Sequence, residues 1–125
     1  MVEQKLKLWL PSFLWMALIF VLSSMPGANF SGDKKEDFLV RKVLHVIEYA
    51  ILTLTYYRGS KKVVVSVVLA ILFAVTDEFH QTLVPSRTGK RSDIVIDASA
   101  AVITGLVLWK YLQNLPQKLK SWLSE

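Results

Sequence analysis

No charged side chain occurs between Leu8 and Gly32, a run of 25 residues. It is long enough to span a hydrocarbon core roughly 30 Å thick even if the helix stops near Ser24. The surrounding chain is oily too: 53% of its 125 residues are apolar and its mean hydropathy is +0.40, which points to one integral membrane domain. Lys5 and Lys7 precede the run as they would in a cleaved leader, but Pro11 interrupts it early and three more apolar segments follow. The run is therefore expected to be a retained first helix. Pro11 is expected in its first turns, where a missing N–H matters least, and Ser23 to Gly27 to end it.

The remaining segments complete an all-α fold, a four-helix transmembrane bundle with short loops and one domain over 1–125. Its spans are predicted at about 8–24, 39–57, 63–83 and 93–112. Asn29 to Asp37 is a polar loop with solvated charges, and Arg58-Gly59-Ser60-Lys61-Lys62 a tight basic turn. Val63 to Thr76 is uncharged but only 14 residues long, so the third span requires Asp77 to Gln81 to continue the helix. Pro85 stops it, Ser86 to Ser92 form a loop, and Ser92 is the expected N-cap of the fourth helix. Ala100, Ala101, Thr104 and Gly105 let a neighbouring helix approach, and Lys110 to Glu125 form a short amphipathic, basic surface tail. Trp9, Trp15, Trp109 and Trp122 fit interfacial anchors or packing residues.

The chain has no cysteine, which excludes disulfides, thiol nucleophiles and thiolate metal centres. Its net charge of +5 comes from lysines and arginines at the ends of apolar runs, a topology signal rather than a nucleic-acid surface, so no nucleic acid is expected as a partner. Four spans place eight basic residues (Lys5, Lys7, Arg58, Lys61, Lys62, Lys110, Lys118 and Lys120) on the side of both termini. The other side has seven, and without Arg41, Lys42 and Arg87, which look like site residues, four remain. Cytoplasmic termini follow, in a multi-pass protein of the bacterial plasma membrane.

Against this apolar background the polar residues stand out, because an ionisable group at mid-membrane costs roughly 2.5–3.5 kcal/mol. At 100° per residue, Lys42, His45 and Tyr49 fall within about 60° of one another on the second helix, with Glu48 a further 60° beyond His45. On the third, Asp77 and Gln81 share a face, with His80 to one side and Glu78 to the other. Asp93 and Asp97 are i, i+4 neighbours on the fourth. Topology brings these segments and the Arg87 loop to one membrane face. His45, Glu48, Asp77 and Glu78 are the candidates for proton transfer or catalysis; Lys42, Tyr49, Gln81, Arg87, Asp93 and Asp97 are the candidates for ligand binding. The plainer reading is a set of salt bridges, Lys42 with Glu48 or Asp77 and Arg87 with Asp93. The carboxylate spacing matches no metal motif, and no metal or cofactor is expected.

The pattern Lys42-x-x-His45-x-x-Glu48-Tyr49, then Asp77-Glu78-x-x-Gln81-x-x-x-Pro85-x-Arg87, then Asp93 and Asp97, resembles the VanZ-like family of small bacterial membrane proteins. The resemblance runs from Ser23-Ser24 to Gly105 and implies four transmembrane helices, with Lys42, His45, Asp77, Glu78, Gln81, Pro85, Arg87 and Asp93 as signature residues. It also implies a link to resistance to the glycopeptide teicoplanin, the association of the family's namesake. Ala100 stands where many members have glycine. The spacing Ser86-Arg87, Asp93, Asp97 is similar to one block of membrane phosphatidate-type phosphatases, but Asp93 replaces their nucleophilic histidine and the other two blocks are absent.

Two functions remain. One is an envelope protein whose outward pocket binds or screens an anionic ligand: a lipid headgroup, a cell-wall precursor or a glycopeptide. The other is a small membrane enzyme acting on a lipid-linked phosphate, with His45 as acid or base and Lys42 and Arg87 stabilising charge. Membrane lipids are partners in both.

Overall fold

The computed structural model describes residues 1–24, 33–84 and 91–125. Its described residues form helices α1 (Val2–Ser24), α2 (Lys34–Ser60), α3 (Val63–Thr82) and α4 (Arg91–Tyr111), a 3₁₀ turn (Leu112–Asn114) and a short α5 (Gln117–Ser124). Among them, three helices are long and apolar enough to cross a membrane: Val2–Ser24, Val63–Thr82 and Arg91–Asn114. The 27-residue α2 has the length but is not one of the three; Arg41, Lys42, Glu48 and Arg58 interrupt its apolar residues.

Several boundaries differ from those expected. α1 starts at Val2, so Pro11 lies deep in the helix and leaves the Lys7 carbonyl without its i+4 donor. α2 absorbs the charges expected in a loop. The Asp33 carboxylate accepts from the Lys35 N–H at 2.9 Å as N-cap, and Glu36 and Asp37 in the first turn complement the helix dipole. At its other end α2 runs through the expected basic turn to Ser60. The chain reverses at Lys61, which takes the left-handed conformation (φ 57°) and donates its N–H to the Tyr57 carbonyl at 2.8 Å. Gly59 has a different task inside the helix: a Cβ there would sit 2.6 Å from the Trp9 ring of α1. α4 begins at Arg91, which puts Ser92 inside the helix rather than at its cap. Pro85 and most of the Ser86 to Ser92 loop lie outside the described residues.

α2 is the hub, packing against α1, α3, α4 and α5. Its large side chains Tyr49, Leu52 and Tyr56 meet small ones, Ala70 and Ala74 of α3 and Ala100 and Ala101 of α4. Without a hydrophobic driving force inside a bilayer, this fit of bulky onto small residues is what holds helices together. The buried face of α3 repeats at four-residue steps through Ser66, Ala70 and Ala74 to Asp77, Glu78 and Gln81. That of α4 runs through Asp93, Asp97, Ala100, Ala101, Gly105 and Leu108. Thr104 is half-buried beside that stripe, so the expected row of small residues does face its neighbours. Gly105 sits so close to α3 that a Cβ would come within 2.5 Å of Val67 Cγ2.

Three tryptophans are packing residues. Trp9 lies on Tyr56, Trp15 donates its indole N–H to the Glu48 carbonyl at 2.8 Å, and Trp122 lies under the Arg58 guanidinium; only Trp109 is largely exposed. The C-terminal segment is no free tail. Leu123 is buried, Arg58 reaches Glu125 at 3.1 Å, and Lys61 Nζ donates to the Leu123 carbonyl at 2.5 Å. Burial and the nearby Arg58 lower the Lys61 pKa from the ordinary lysine value, against the pull of Glu125.

Candidate functional site

The molecule is polar inside and apolar outside at one end. Asp77, Glu78, Gln81, Asp93 and Asp97 are buried, while Phe38, Leu39, Val43, Phe79 and Val95 on the same stretches of helix are exposed. This reverses the distribution of a water-soluble bundle. The polar residues come from the last turn of α1, the first half of α2, the last turns of α3 and the first turns of α4, ends that antiparallel succession brings to one face.

Two groups of contacts make up the site. In the first, the stripe of α2 meets that of α4: Lys42 Nζ pairs with Asp93, and His45 Nδ1 lies 2.9 Å from Asp97 Oδ1. Because 42 and 45 match 93 and 97 in ascending order, the two helices run parallel, as the second and fourth strokes of an up-and-down bundle must. In the second group, Asp77 of α3 accepts from Ser23 Oγ of α1 at 2.5 Å and from Gln81 Nε2 at 3.2 Å, with the Tyr49 hydroxyl of α2 at 3.5 Å. Gln81 Nε2 also reaches Ser23 Oγ at 3.4 Å. A single carboxylate thus ties three helices together, the sort of convergent acceptor that a buried polar cluster requires.

The predicted stripe of Lys42, His45 and Tyr49 does point inward as a unit, and Asp77 does share a face with Gln81. The expected partners of Lys42, Asp77 or Glu48, are corrected to Asp93, because the rotation of α2 directs its first turns at α4 rather than α3. Glu48 is half-buried, and its backbone carbonyl receives Trp15; Glu78 is buried beside Asp77. His80 is partly buried and stacks on Phe20 of α1 with ring centroids 4.1 Å apart, away from the Lys42–Asp93 and His45–Asp97 pairs in its contacts. Arg87, and with it the expected Arg87–Asp93 contact, lies outside the described residues. No group of three or more His, Cys, Asp and Glu side chains among the described residues has the geometry to hold a metal ion.

Ser23, expected at the end of the first helix, is in addition a donor to Asp77. A hydroxyl on the last turn of an otherwise apolar span was the available signal, since it needs a partner wherever it is buried. Trp15 was unrecognisable as a clamp on α2, because an indole N–H has no sequence mark for its acceptor.

The chemistry of this arrangement is set by accessibility. In both ion pairs the basic side chain is the more exposed partner, 19% for Lys42 against 11% for Asp93 and 12% for His45 against 1% for Asp97. A carboxylate behind each base fixes its position and leaves its outer side to meet a ligand or a proton.

Comparison with curated proteins and with solved structures finds no match. Residues 8–113 match the family model VanZ/LLP1. That stretch begins in α1, ends in the 3₁₀ turn after α4 and contains every side chain of the site; the chain belongs to the VanZ/LLP1 family.

Proposed function

We propose that the chain is a four-span membrane protein in which α2 is the fourth span, and that its polar end binds the anionic group of an envelope amphiphile. The case for α2 rests on the distribution of its charges. Lys42 and His45 turn inward to α4, while Phe38, Leu39, Val40, Val43, Leu44, Val46 and Ile47 around them are exposed. A helix that touches all its neighbours can keep polar groups on its inner face and still present apolar side chains outward.

The observation that carries the ligand reading is the layering of each pair, base outward and carboxylate inward. An incoming phosphate or carboxylate meets Lys42 and His45 first, and Arg41 and Arg91 lie at the same end of the bundle. By this reading the site opens outward when the termini are cytoplasmic, and glycopeptide resistance arises from binding an envelope ligand. A teicoplanin-susceptible bacterium expressing the chain tests it. Lys42→Gln and Arg87→Lys should each abolish the increase in inhibitory concentration at unchanged protein level in the membrane, and retention of resistance by both sinks the reading.

A second reading, a small membrane enzyme acting on a lipid-linked phosphate, draws support from one contact. Asp97 holds His45 Nδ1 at 2.9 Å, the way a carboxylate orients an imidazole whose other nitrogen carries a proton to or from a substrate. His45→Gln separates the two readings: a binding pocket tolerates the amide, whereas proton transfer does not.

A further inference from the structure

At the end of the bundle opposite the polar cluster, α3 and α4 part to leave an open groove of about 420 Å³. Val64, Val67 and Val68 face Val102, Gly105 and Trp109 across it. Its volume falls within the roughly 300–1,000 Å³ of small-molecule sites. Gly105 forms part of its floor, at the point where α4 comes closest to Val67 of α3. The flanking Val64, Val68, Val102 and Trp109 are all exposed.

The walls are apolar, but one end of the groove is basic. Lys62 immediately precedes Val63, the first groove residue of α3, and Lys110 immediately follows Trp109, the last of α4. Both lysines are exposed, with Lys110 Nζ 5.5 Å from the Tyr111 ring centroid, whereas their neighbour Lys61 donates to the Leu123 carbonyl. Lys62 is also the N-cap residue of α3; its own side chain makes no cap bond, while Ser60 Oγ accepts from the Lys62 N–H at 3.2 Å and leaves the first amides within the helix without a side-chain acceptor. Those amides of α3 add their partial positive charge to the two ammonium groups. The exposed indole of Trp109 lies where the apolar walls give way to the lysines, the position an interfacial tryptophan takes.

An apolar trough that ends in two exposed cations beside a helix N-terminus has the polarity of one molecule, a phospholipid bearing net negative charge. We infer that the α3–α4 groove binds a single anionic phospholipid, an acyl chain along Val64, Val68 and Val102 and the phosphate between Lys62 and Lys110. This site is separate from the polar cluster and does not depend on what that cluster binds.

The test uses the full chain in phosphatidylcholine nanodiscs containing graded amounts of acyl-brominated phosphatidylglycerol, with acyl-brominated phosphatidylcholine as the comparison. Bromine quenches a tryptophan it touches, and Trp109→Phe supplies the signal of the three packed tryptophans. Quenching of Trp109 should require less phosphatidylglycerol than phosphatidylcholine, by roughly fivefold for each lysine. Lys62→Gln with Lys110→Gln should remove that preference while leaving quenching itself. Val64→Phe with Val102→Phe, at exposed positions that leave the core intact, should reduce quenching by the anionic lipid. Equal quenching by the two lipids, a preference that survives loss of both lysines, or a preference unchanged by filling the groove would each overturn the assignment. So would shielding of Trp109 from both lipids that grows with protein concentration, which would give the groove to a second copy of the chain.

Discussion

His45 of α2 and Asp97 of α4 lie 2.9 Å apart, one helical turn from the pair Lys42 and Asp93, so two parallel helices are joined by a ladder of two base–carboxylate rungs. The ladder depends on the register of the two helices, since sliding either by one residue breaks both rungs. It is the feature from which the behaviour of the site's variants follows.

Breaking one rung leaves a carboxylate with its desolvation uncompensated. Lys42→Met should cost about 2–3 kcal/mol, below the figure for a fully buried pair because Lys42 is 19% exposed. Asp93→Asn in the same chain should return part of it, and thermal unfolding in detergent measures the coupling. Additive losses, with Asp93→Asn lowering the Lys42→Met variant as much as it lowers the parent chain, would mean that the rung contributes nothing; Asp77→Asn should not rescue Lys42→Met.

Asp77 predicts a different pattern, because its partners are hydroxyl and amide donors that can partly satisfy each other. Ser23→Ala should cost about 1 kcal/mol and Asp77→Ala about 1–3 kcal/mol. The double variant should be no worse than Asp77→Ala alone, since Ser23 has by then lost its main acceptor. Strict additivity in the same melting assay would show that the 2.5 Å contact carries no energy of its own.

The two tight glycines should fail differently. Gly105→Ala gains helix propensity but drives a methyl group against Val67, and overpacking of this kind costs about 1–3 kcal/mol. Val67→Ala should restore most of that loss. Gly59→Ala instead displaces the Trp9 ring, so its signature is a shift in tryptophan emission that Trp9→Phe removes. A silent Gly59→Ala spectrum would argue against the Trp9 contact.

Docking of α5 depends on Arg58, whose guanidinium lies 4.8 Å from the Trp122 ring centroid and reaches Glu125. Trp122→Ala should free the segment by roughly 0.5–2 kcal/mol, seen as faster amide exchange over residues 117–124 with α1 to α4 unchanged. Exchange that stays slow would place the anchor on Leu123 alone.

A fusion reporter after Glu125 tests the orientation. With the basic residues outside the site eight to four in favour of the terminal side, a reporter active in the cytoplasm is expected. A reporter active only outside would turn the polar end inward and remove the envelope reading.

The helical class, its fit to a bilayer and the membership of each polar stripe were determined by sequence alone. A charge-free stretch has few folded fates, and the 3.6-residue period puts Lys42, His45 and Tyr49, or Asp77 and Gln81, on one face whatever surrounds them. Which stripe meets which was decided by the tertiary structure. Lys42 found Asp93 because Tyr49, Leu52 and Tyr56 seat on the alanines of α3 and α4, and that seating, a sum of many weak contacts remote in sequence, sets the rotation of α2. The same holds for Gly59, read as a turn residue from its neighbours but kept small by Trp9, and for the C-terminal segment, whose dock exists only once Arg58 and Lys61 have been placed. A helical period is local geometry; the choice of partner depends on packing that no single stretch of chain contains.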